Sequence, residues 1–236
     1  MSRVEKGRTV PAMAMKNTAS LLSLIAPLFS HLKHEDYGHV QRNAAWQDVR
    51  AAAGPSLGDA LALPSWQVRS SFQDELLVPG MPLAAMPVES LYKPWSSQEG
   101  NAFGAARGLY LGDPARHLDA VYGQLDIRVP EAFASMPDHL TLELELLALL
   151  LAAENDAAAR QLAADHFDWL GDYDAALADR ADMVAHNGAL VPARRQNLLD
   201  GIAFLRALTA LANGITLSVL DGCDASLRTR AQGDRR

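Results

Sequence analysis

The sequence predicts an all-α protein, folded as a single-domain helical bundle, and three observations support this fold class. Alanine and leucine dominate the 236 residues, whereas the isoleucine, valine and threonine that sheets favour are sparse. Apolar residues make up 49% of the chain, which is enough to bury a substantial core. In the last long helical segment, apolar residues repeat at helical spacing, at Leu198, Ile202, Leu205, Leu208 and Leu211.

The helical domain is expected to span residues 15–222, between two flexible termini. Residues 1–14 are polar and basic before Pro11 and two methionines. Residues 223–236 form a polar tail. Such terminal segments are rarely ordered unless they pack against the rest of the fold.

An apolar run over residues 19–29 follows several basic residues and superficially resembles a secretory signal. Ser23 and Pro27 interrupt this run, and no small-residue cleavage site follows it. An amphipathic first helix is therefore expected instead of a signal peptide. No apolar run is expected to reach the roughly 18 residues that a bilayer-spanning helix needs.

The first half of the chain is expected to form three helices and a proline-rich loop. The first two helices are expected at 18–33 and 36–53, and the second is stopped by Gly54-Pro55. After a turn over 57–63, Ser65 is suited to cap the third helix. The inner face of that helix carries Trp66, Val68, Phe72, Leu76 and Leu77. Residues 78–87 form a loop because they contain Pro79, Gly80, Pro82 and Pro87.

The second half is expected to add helices at 113–124, 140–154, 156–185 and 192–220. Asp113 and Pro114 suit the cap and the first position of the earliest of these. A second loop covers 130–137, and Asp138 then looks like the N-cap of the next helix. That run alternates like a strand over 142–146, but its length and its content of leucine, alanine and glutamate favour a central helix.

Net charge and cysteine content exclude several classes of function. The formal net charge of -7 argues against a nucleic-acid-binding protein and against broad attachment to anionic membranes. Cys223 is the single cysteine, so neither an internal disulfide nor a cysteine-based zinc site can form. This usage suits a reducing cytoplasm.

No catalytic motif, metal site or cofactor site is predicted. The chain lacks the Gly-x-Ser-x-Gly elbow, a phosphate loop and the paired histidines of zinc proteases. His31 and His34 adjoin Glu35 and Asp36, which reads best as the solvated polar end of the first helix. Two alternatives stay open: a metal-dependent enzyme that uses histidines such as His31 or His139, and an adaptor that binds a folded enzyme surface.

Two short segments, 87–92 and 136–144, carry the most informative pattern. Each has a proline break and polar groups that run into an apolar stretch. Asp138 can serve simply as a cap, worth about 1 kcal/mol. The same helix start also offers free amides that could hold a peptide carbonyl or carboxylate. Glu89 and Tyr92 either anchor a loop or belong to a peptide groove, whose apolar floor would come from Leu76, Leu77, Val88 and Tyr92.

These segments resemble the TorD/DmsD/NarJ family of redox enzyme maturation chaperones. The resemblance lies in the segments 72–80, 87–92, 137–144 and 166–170, in the same order and spacing, over roughly residues 18–212. The Pro-Asp-His start and the Glu-Leu end of 137–144 are its most specific part. Val88 stands where an aromatic residue is usual in that family, and Leu77 where phenylalanine is common.

The resemblance implies a TorD-like all-α protein without enzymatic activity. It implies a cytoplasmic chaperone for the catalytic subunit of a molybdenum oxidoreductase of the DMSO reductase family. The length and the loop sequence are somewhat closer to chaperones of enzymes of the dimethyl-sulfide or ethylbenzene dehydrogenase kind. Such a chaperone binds the twin-arginine signal peptide, assists cofactor insertion and prevents premature export. A monomer or a dimer, with neither nucleic acid nor membrane as a partner, is expected. The expected peptide-binding residues are Leu76, Leu77, Pro87, Val88, Glu89, Tyr92, Asp138, His139 and Glu143.

Overall fold

A computed structural model describes residues 15–233 of the backbone and the side chains of residues 18–221. Within these residues the fold is all α, as predicted, with ten α-helices and three short 3-10 helices. The α-helices are α1 (Met15–Ile25), α2 (His34–Arg42), α3 (Ala45–Ala53), α4 (Pro55–Ala60), α5 (Trp66–Leu76), α6 (Asp113–Gln124), α7 (Leu140–Ala152), α8 (Asp156–His166), α9 (Leu170–His186) and α10 (Pro192–Gly233). The 3-10 helices are Ala26–Phe29, Glu89–Leu91 and Glu131–Phe133. The predicted flexible N-terminus, 1–14, lies outside the described residues.

Helix α7 lies at the centre of the bundle, as its sequence predicts. It packs against α1 and α8, and its leucines at 140, 142, 144, 146, 147 and 151 are all buried. The hydroxyl of Thr141 donates to the carbonyl oxygen of Ala26 at 2.9 Å, which fixes the start of α7 against the Ala26–Phe29 helix that follows α1. A buried hydroxyl needs such a partner, so this contact holds the two segments together.

Helix α10 forms the other side of the core, where it packs against α5, α8 and α9. Its approach to α5 requires a glycine: a Cβ atom on Gly201 would lie 2.3 Å from the ring of Phe72. Residues Pro192–Asp221 of this helix contain an 18-residue window that is long and apolar enough to span a membrane, with a mean hydropathy of 1.5. The expectation of no such run is therefore wrong, but 56% of the window is buried within the bundle, as in a core helix. The helix also continues to Gly233, past the predicted end near Leu220.

The first two predicted helices have different boundaries in the structure. Helix α1 ends at Ile25 instead of continuing to residue 33, and Pro27 lies in the 3-10 helix that follows. Proline lacks the N–H that an α-helix would need there. The predicted helix over 36–53 is two helices, because Asn43 adopts an extended conformation and its Oδ1 accepts from the N–H of Ala45 at 3.0 Å. Asparagine favours such local hydrogen bonds over a continuous helix.

Two other residues end or cap a helix as predicted. Gly54 has a φ of +82° and ends α3, a conformation that glycine adopts without steric cost. Ser65 caps α5, because its hydroxyl accepts from the N–H of Val68 at 3.3 Å. The predicted turn over 57–63, in contrast, overlaps the short helix α4.

The single helix predicted over 156–185 is wrong, since α8 and α9 are separated at residues 167–169. The indole N–H of Trp169 donates to the carbonyl oxygen of His166 at 2.7 Å and so satisfies an acceptor at the end of α8. Trp169 is buried, and this packing turns the chain. Helix α9 ends at His186, where the sequence predicts its end.

Candidate functional site

The two segments singled out in the sequence meet in the structure. Val88 and His139 form an isolated antiparallel bridge. The N–H of Glu89 donates to the carbonyl oxygen of Asp138 at 3.0 Å, and the N–H of Leu140 donates to that of Pro87 at 2.9 Å. The first segment therefore lies directly along the N-terminus of α7.

Asp138 holds the two segments together and does not cap α7. Its Oδ2 accepts from the N–H of Ser90 at 2.7 Å and from the Ser90 hydroxyl. The cap is His139, whose Nδ1 accepts from the N–H of Thr141 at 3.2 Å. Burial lowers the pKa of His139 to about 3, so its ring is neutral and free to accept. The predicted cap was wrong because Asp138 has stronger donors in the other segment.

Most residues expected to bind a peptide are buried within the protein. The buried ones are Leu76, Leu77, Pro87, Val88, Glu89, Asp138, His139 and Glu143. Tyr92 is half-buried. Its ring stacks on that of Trp169, with 5.3 Å between the ring centroids, and its hydroxyl donates to the carbonyl oxygen of Met86 at 3.0 Å. In this conformation these residues support the site from inside, and of the buried ones Glu89 also lines the surface cleft described below. The apolar floor expected from Leu76, Leu77 and Val88 is not open to a ligand.

A chain of ionisable groups runs from this interior to the surface. Glu89 Oε2 lies 2.7 Å from His166 Nδ1, and His166 Nε2 lies 2.8 Å from His117 Nδ1. Glu89 Oε1 lies 2.7 Å from the Nζ atom of Lys93. Glu89 and His166 are buried, whereas His117 is exposed, so the chain links the core to solvent.

Lys93 connects this series of ionisable groups to the C-terminal end of α8. Its ammonium group lies 2.6 Å from a carboxylate oxygen of Asp168 and donates to the carbonyl oxygen of Asp165 at 2.7 Å. Burial alone would lower the pKa of Lys93, but the carboxylates of Glu89 and Asp168 outweigh it and raise that pKa. The lysine is therefore charged and neutralises part of the local negative charge.

Glu143 lies beneath this series of ionisable groups and is completely buried. No donor from another described residue satisfies its two carboxyl oxygens. Burial, and then the negative charges of Glu89 and Asp138, raise the pKa of Glu143 well above its usual value. A protonated Glu143 can donate to Glu89, which would relieve the repulsion between the two acids.

A surface cleft of about 330 Å³ opens onto these groups. It is lined by Glu89, Lys93, Pro94, Ser97, Asp113, Pro114, His117, Asp165 and His166. Asp113 was expected to cap α6, but its carboxylate accepts from the N–H of Ser97 at 2.6 Å and pairs with Arg116. These hydrogen bonds, first the one from the Ser97 N–H, lower the pKa of Asp113 to about 2. Three acidic side chains and one lysine thus face the cleft.

Exposed apolar side chains occur in the loop between Trp95 and α6. They are Phe103, Leu109 and Leu111, with 59%, 39% and 46% of their surface exposed. The loop folds back on the cleft wall, because the N–H of Asp113 donates to the carbonyl oxygen of Trp95 at 2.7 Å. The ring of Phe103 packs edge-on against Trp95. Apolar surface therefore lies in the same loop that supplies Ser97 to the acidic cleft.

The sequence alone did not identify Lys93, His117, Asp165 or His166 as site residues. His166 belongs to a segment of the family resemblance, which was the only available signal for it. Lys93 follows the 87–92 segment directly. His117 and Asp165 lie on α6 and α8, and only packing brings them to one cleft.

The histidines suspected of binding a metal are otherwise engaged. His31 lies 2.8 Å from a carboxylate oxygen of Asp74, and both side chains are at least half exposed. His139 caps α7 and packs edge-on against the ring of Phe133. Neither arrangement gathers further ligands among the described residues.

Comparison with known proteins supports the resemblance that the sequence suggests. Residues 43–182, more than half of the chain, match the family model described as nitrate reductase delta subunit. A search of curated proteins finds no match. The matched region contains both hydrogen-bonded segments and every residue that lines the cleft. The chain belongs to the nitrate reductase delta subunit family of molybdoenzyme maturation chaperones.

Proposed function

We propose that this chaperone acts in the cytoplasm and binds the twin-arginine leader of a molybdenum oxidoreductase catalytic subunit. It retains the subunit until the molybdopterin cofactor is inserted, and only then permits export. The client belongs to the DMSO reductase family and is of the dimethyl-sulfide or ethylbenzene dehydrogenase kind. The observation that carries the proposal is the acidic cleft beside the joined segments, bordered by a loop with exposed apolar side chains.

The charges in the cleft suit a basic peptide. Asp165 is exposed on its rim, and Asp113 is half-exposed. A guanidinium group forms bidentate hydrogen bonds with carboxylates, so two arginines would be oriented as well as attracted. The net charge of -7 would also speed the encounter with a basic leader, and this effect weakens as salt is added.

The exposed apolar side chains suit the rest of such a leader. Phe103, Leu109 and Leu111 offer contact surface for the hydrophobic stretch that follows the arginine pair. The buried residues Asp138, Ser90 and His139 contribute indirectly, because their hydrogen bonds fix the wall that carries Glu89. A rigid wall lowers the entropic cost of binding.

Isothermal titration with a client leader peptide tests the proposal. Asp165→Asn should weaken binding about tenfold, because a hydrogen bond between charged groups is worth roughly 1.5 kcal/mol or more. Asp200→Asn is the matched control. Gln161 donates to Asp165 at 2.6 Å, and Gln196 donates to Asp200 at 2.8 Å in the same i, i+4 arrangement, yet Asp200 does not line the cleft.

Two results would contradict this assignment. Equal weakening by both substitutions would mean that only overall charge matters. Binding of a client that lacks its leader, with undiminished affinity, would instead favour the adaptor that recognises a folded enzyme surface. A peptide with lysines in place of the arginine pair should bind more weakly to the unmodified protein, since lysine cannot form the bidentate contact.

A further inference from the structure

Three buried side chains converge beneath the cleft in a way that the leader-binding function does not require. Glu89, Glu143 and His166 each offer one ligand atom, and these atoms lie within 4.8 Å of one another. At most 2% of any of the three residues is exposed. They come from a 3-10 helix, from α7 and from the end of α8, so only the tertiary fold assembles them.

The ligand set and its surroundings suit a divalent transition-metal ion. Two carboxylates and one imidazole form a mixed oxygen and nitrogen donor set of the kind that binds such ions. The His166 Nδ1 atom faces Glu89, and its Nε2 atom lies 2.8 Å from His117 Nδ1. If His166 Nε2–H donates to His117, Nδ1 is left with a free lone pair for a cation. Histidine ligands commonly have their other nitrogen fixed by an outer partner in this way.

Glu143 gives an independent indication of a ligand. Both of its oxygens lack a hydrogen-bond donor from other described residues, although the residue is completely buried. Buried carboxylates are costly unless a proton, a donor or a metal ion neutralises them. A proton shared with Glu89 is one solution, and a cation between the two carboxylates is the other.

The site also has an access route and an internal competitor. Glu89 and His166 line the surface cleft, so an ion can reach them from solvent. Lys93 places its ammonium group 2.7 Å from Glu89 Oε1, where it would repel an incoming cation. The same ammonium group lies 2.6 Å from Asp168, which can retain it after Glu89 is released.

We propose that Glu89, Glu143 and His166 bind one divalent transition-metal ion, for which Zn²⁺ is the probe, with His117 as a positioning residue. Three protein ligands leave at least one coordination position for water on the cleft side. The ion would tie the Glu89–Leu91 helix to α7 and α8 and thereby stiffen the cleft wall. This site is independent of leader recognition and implies no reaction.

Metal titration of the full chain tests this site. The protein is first treated with a chelator and dialysed, and is then titrated with Zn²⁺ in a calorimeter, with the bound metal counted by mass spectrometry. The unmodified protein should bind one equivalent. Glu143→Gln should abolish this binding, because the amide keeps the shape of a protonated Glu143 but is a poor metal ligand. Circular dichroism verifies that the variant is folded.

Further variants separate the site from adventitious binding. His117→Ala should weaken zinc binding about tenfold or more, the effect typical of a lost outer partner. Lys93→Met should strengthen it, because the competing ammonium is removed. His31→Gln is the control, since its exposed pair with Asp74 offers a histidine and a carboxylate away from the site.

Three results would overturn the proposal. They are an absence of stoichiometric binding to the unmodified protein, equal binding by Glu143→Gln, and loss of binding on His31→Gln. If Glu143→Gln does not fold, the Lys93→Met measurement still decides, because unchanged or weaker binding there contradicts a site at Glu89.

Discussion

The carboxylate of Asp138 accepts hydrogen bonds from both the backbone N–H and the hydroxyl of Ser90, which lies 48 residues earlier in the chain. The Ser90 hydroxyl oxygen in turn accepts from the N–H of Gly112 at 3.1 Å. One buried acid thus connects the segment before α7, the Glu89–Leu91 helix and the start of α6. The acid in the most specific part of the family resemblance thus holds three segments together in this conformation.

Replacing Asp138 should therefore destabilise the protein before it affects any partner. Asp138→Ala leaves the N–H and the hydroxyl of Ser90 buried without their acceptor, at a cost of about 3 kcal/mol. Urea unfolding followed by circular dichroism measures this loss. Asp138→Asn should lose less, because its amide oxygen can still accept. If Asp138→Ala is as stable as the unmodified protein but no longer binds a leader peptide, Asp138 is a contact residue and not a structural one.

The cap on α7 should make stability depend on pH. His139 is neutral in the folded protein, with a pKa of about 3, whereas an unfolded histidine has a pKa of about 6.5. Between these values the unfolded chain binds more protons, so the free energy of unfolding falls as the pH falls from about 6.5 toward 3. At pH 5 the contribution lost is about 2 kcal/mol.

His139→Asn tests this pH dependence directly. Asparagine is a good N-cap and cannot titrate, so the variant should retain the helix start but lose this part of the slope. The measurement is the difference in unfolding free energy between the two proteins at pH 7 and pH 5. This difference isolates His139 from the buried acids, whose raised pKa values have the opposite effect. Parallel pH profiles would contradict the assignment of a neutral, buried cap.

Close packing between α5 and α10 should make Gly201 intolerant of a side chain. Gly201→Ala would place a methyl group 2.3 Å from the Phe72 ring and should destabilise the fold by about 1–3 kcal/mol. The Gly201→Ala, Phe72→Leu double variant should recover part of the loss, measured by thermal unfolding. Gly171→Ala on α9 is the control, because nothing lies within 4 Å of its added Cβ. A neutral Gly201→Ala would show that the two helices are not in this register.

The buried guanidinium of Arg69 should be required for the turn after α1. It donates to the carbonyl oxygen of Leu28 at 2.8 Å, to that of Ser30 and to Gln73 Oε1 at 2.9 Å. Arg69→Ala removes the guanidinium donor from the carbonyl oxygens of Leu28 and Ser30, whereas Gln73 Oε1 keeps the N–H of Leu32, and the substitution should cost about 3 kcal/mol. Arg69→Lys should rescue little, since an ammonium cannot reproduce the fork of donors. Full recovery by lysine, measured in urea, would contradict this role.

The signals that predicted helices correctly act within one turn of the chain. Ser65 caps α5 with its own hydroxyl, and Gly54 ends α3 through its own φ. Asp113–Gln124 has the predicted bounds, and Pro114 lies in its first turn, where a missing N–H leaves no helix hydrogen bond unmade. The failures have two kinds of cause. Asp138 and Asp113 do not cap their helices because donors from other segments occupy their carboxylates. Asn43 and Trp169, in contrast, break predicted helices through hydrogen bonds to groups two and three residues away.

The sequence by itself determined the helical composition, several helix starts and stops, and the family, because propensity, caps and motif order are local properties of the chain. Only the tertiary structure decided that Asp138 bonds Ser90 while His139 caps α7, since two acceptors competed for donors that the fold supplies. The tertiary structure also buries most of the residues that the sequence was expected to use for peptide binding. The packing of α6, α7 and α8 likewise brings ionisable side chains together in one cleft, although their spacing in the sequence does not predict it. These side chains are Lys93, His117, Asp165 and His166.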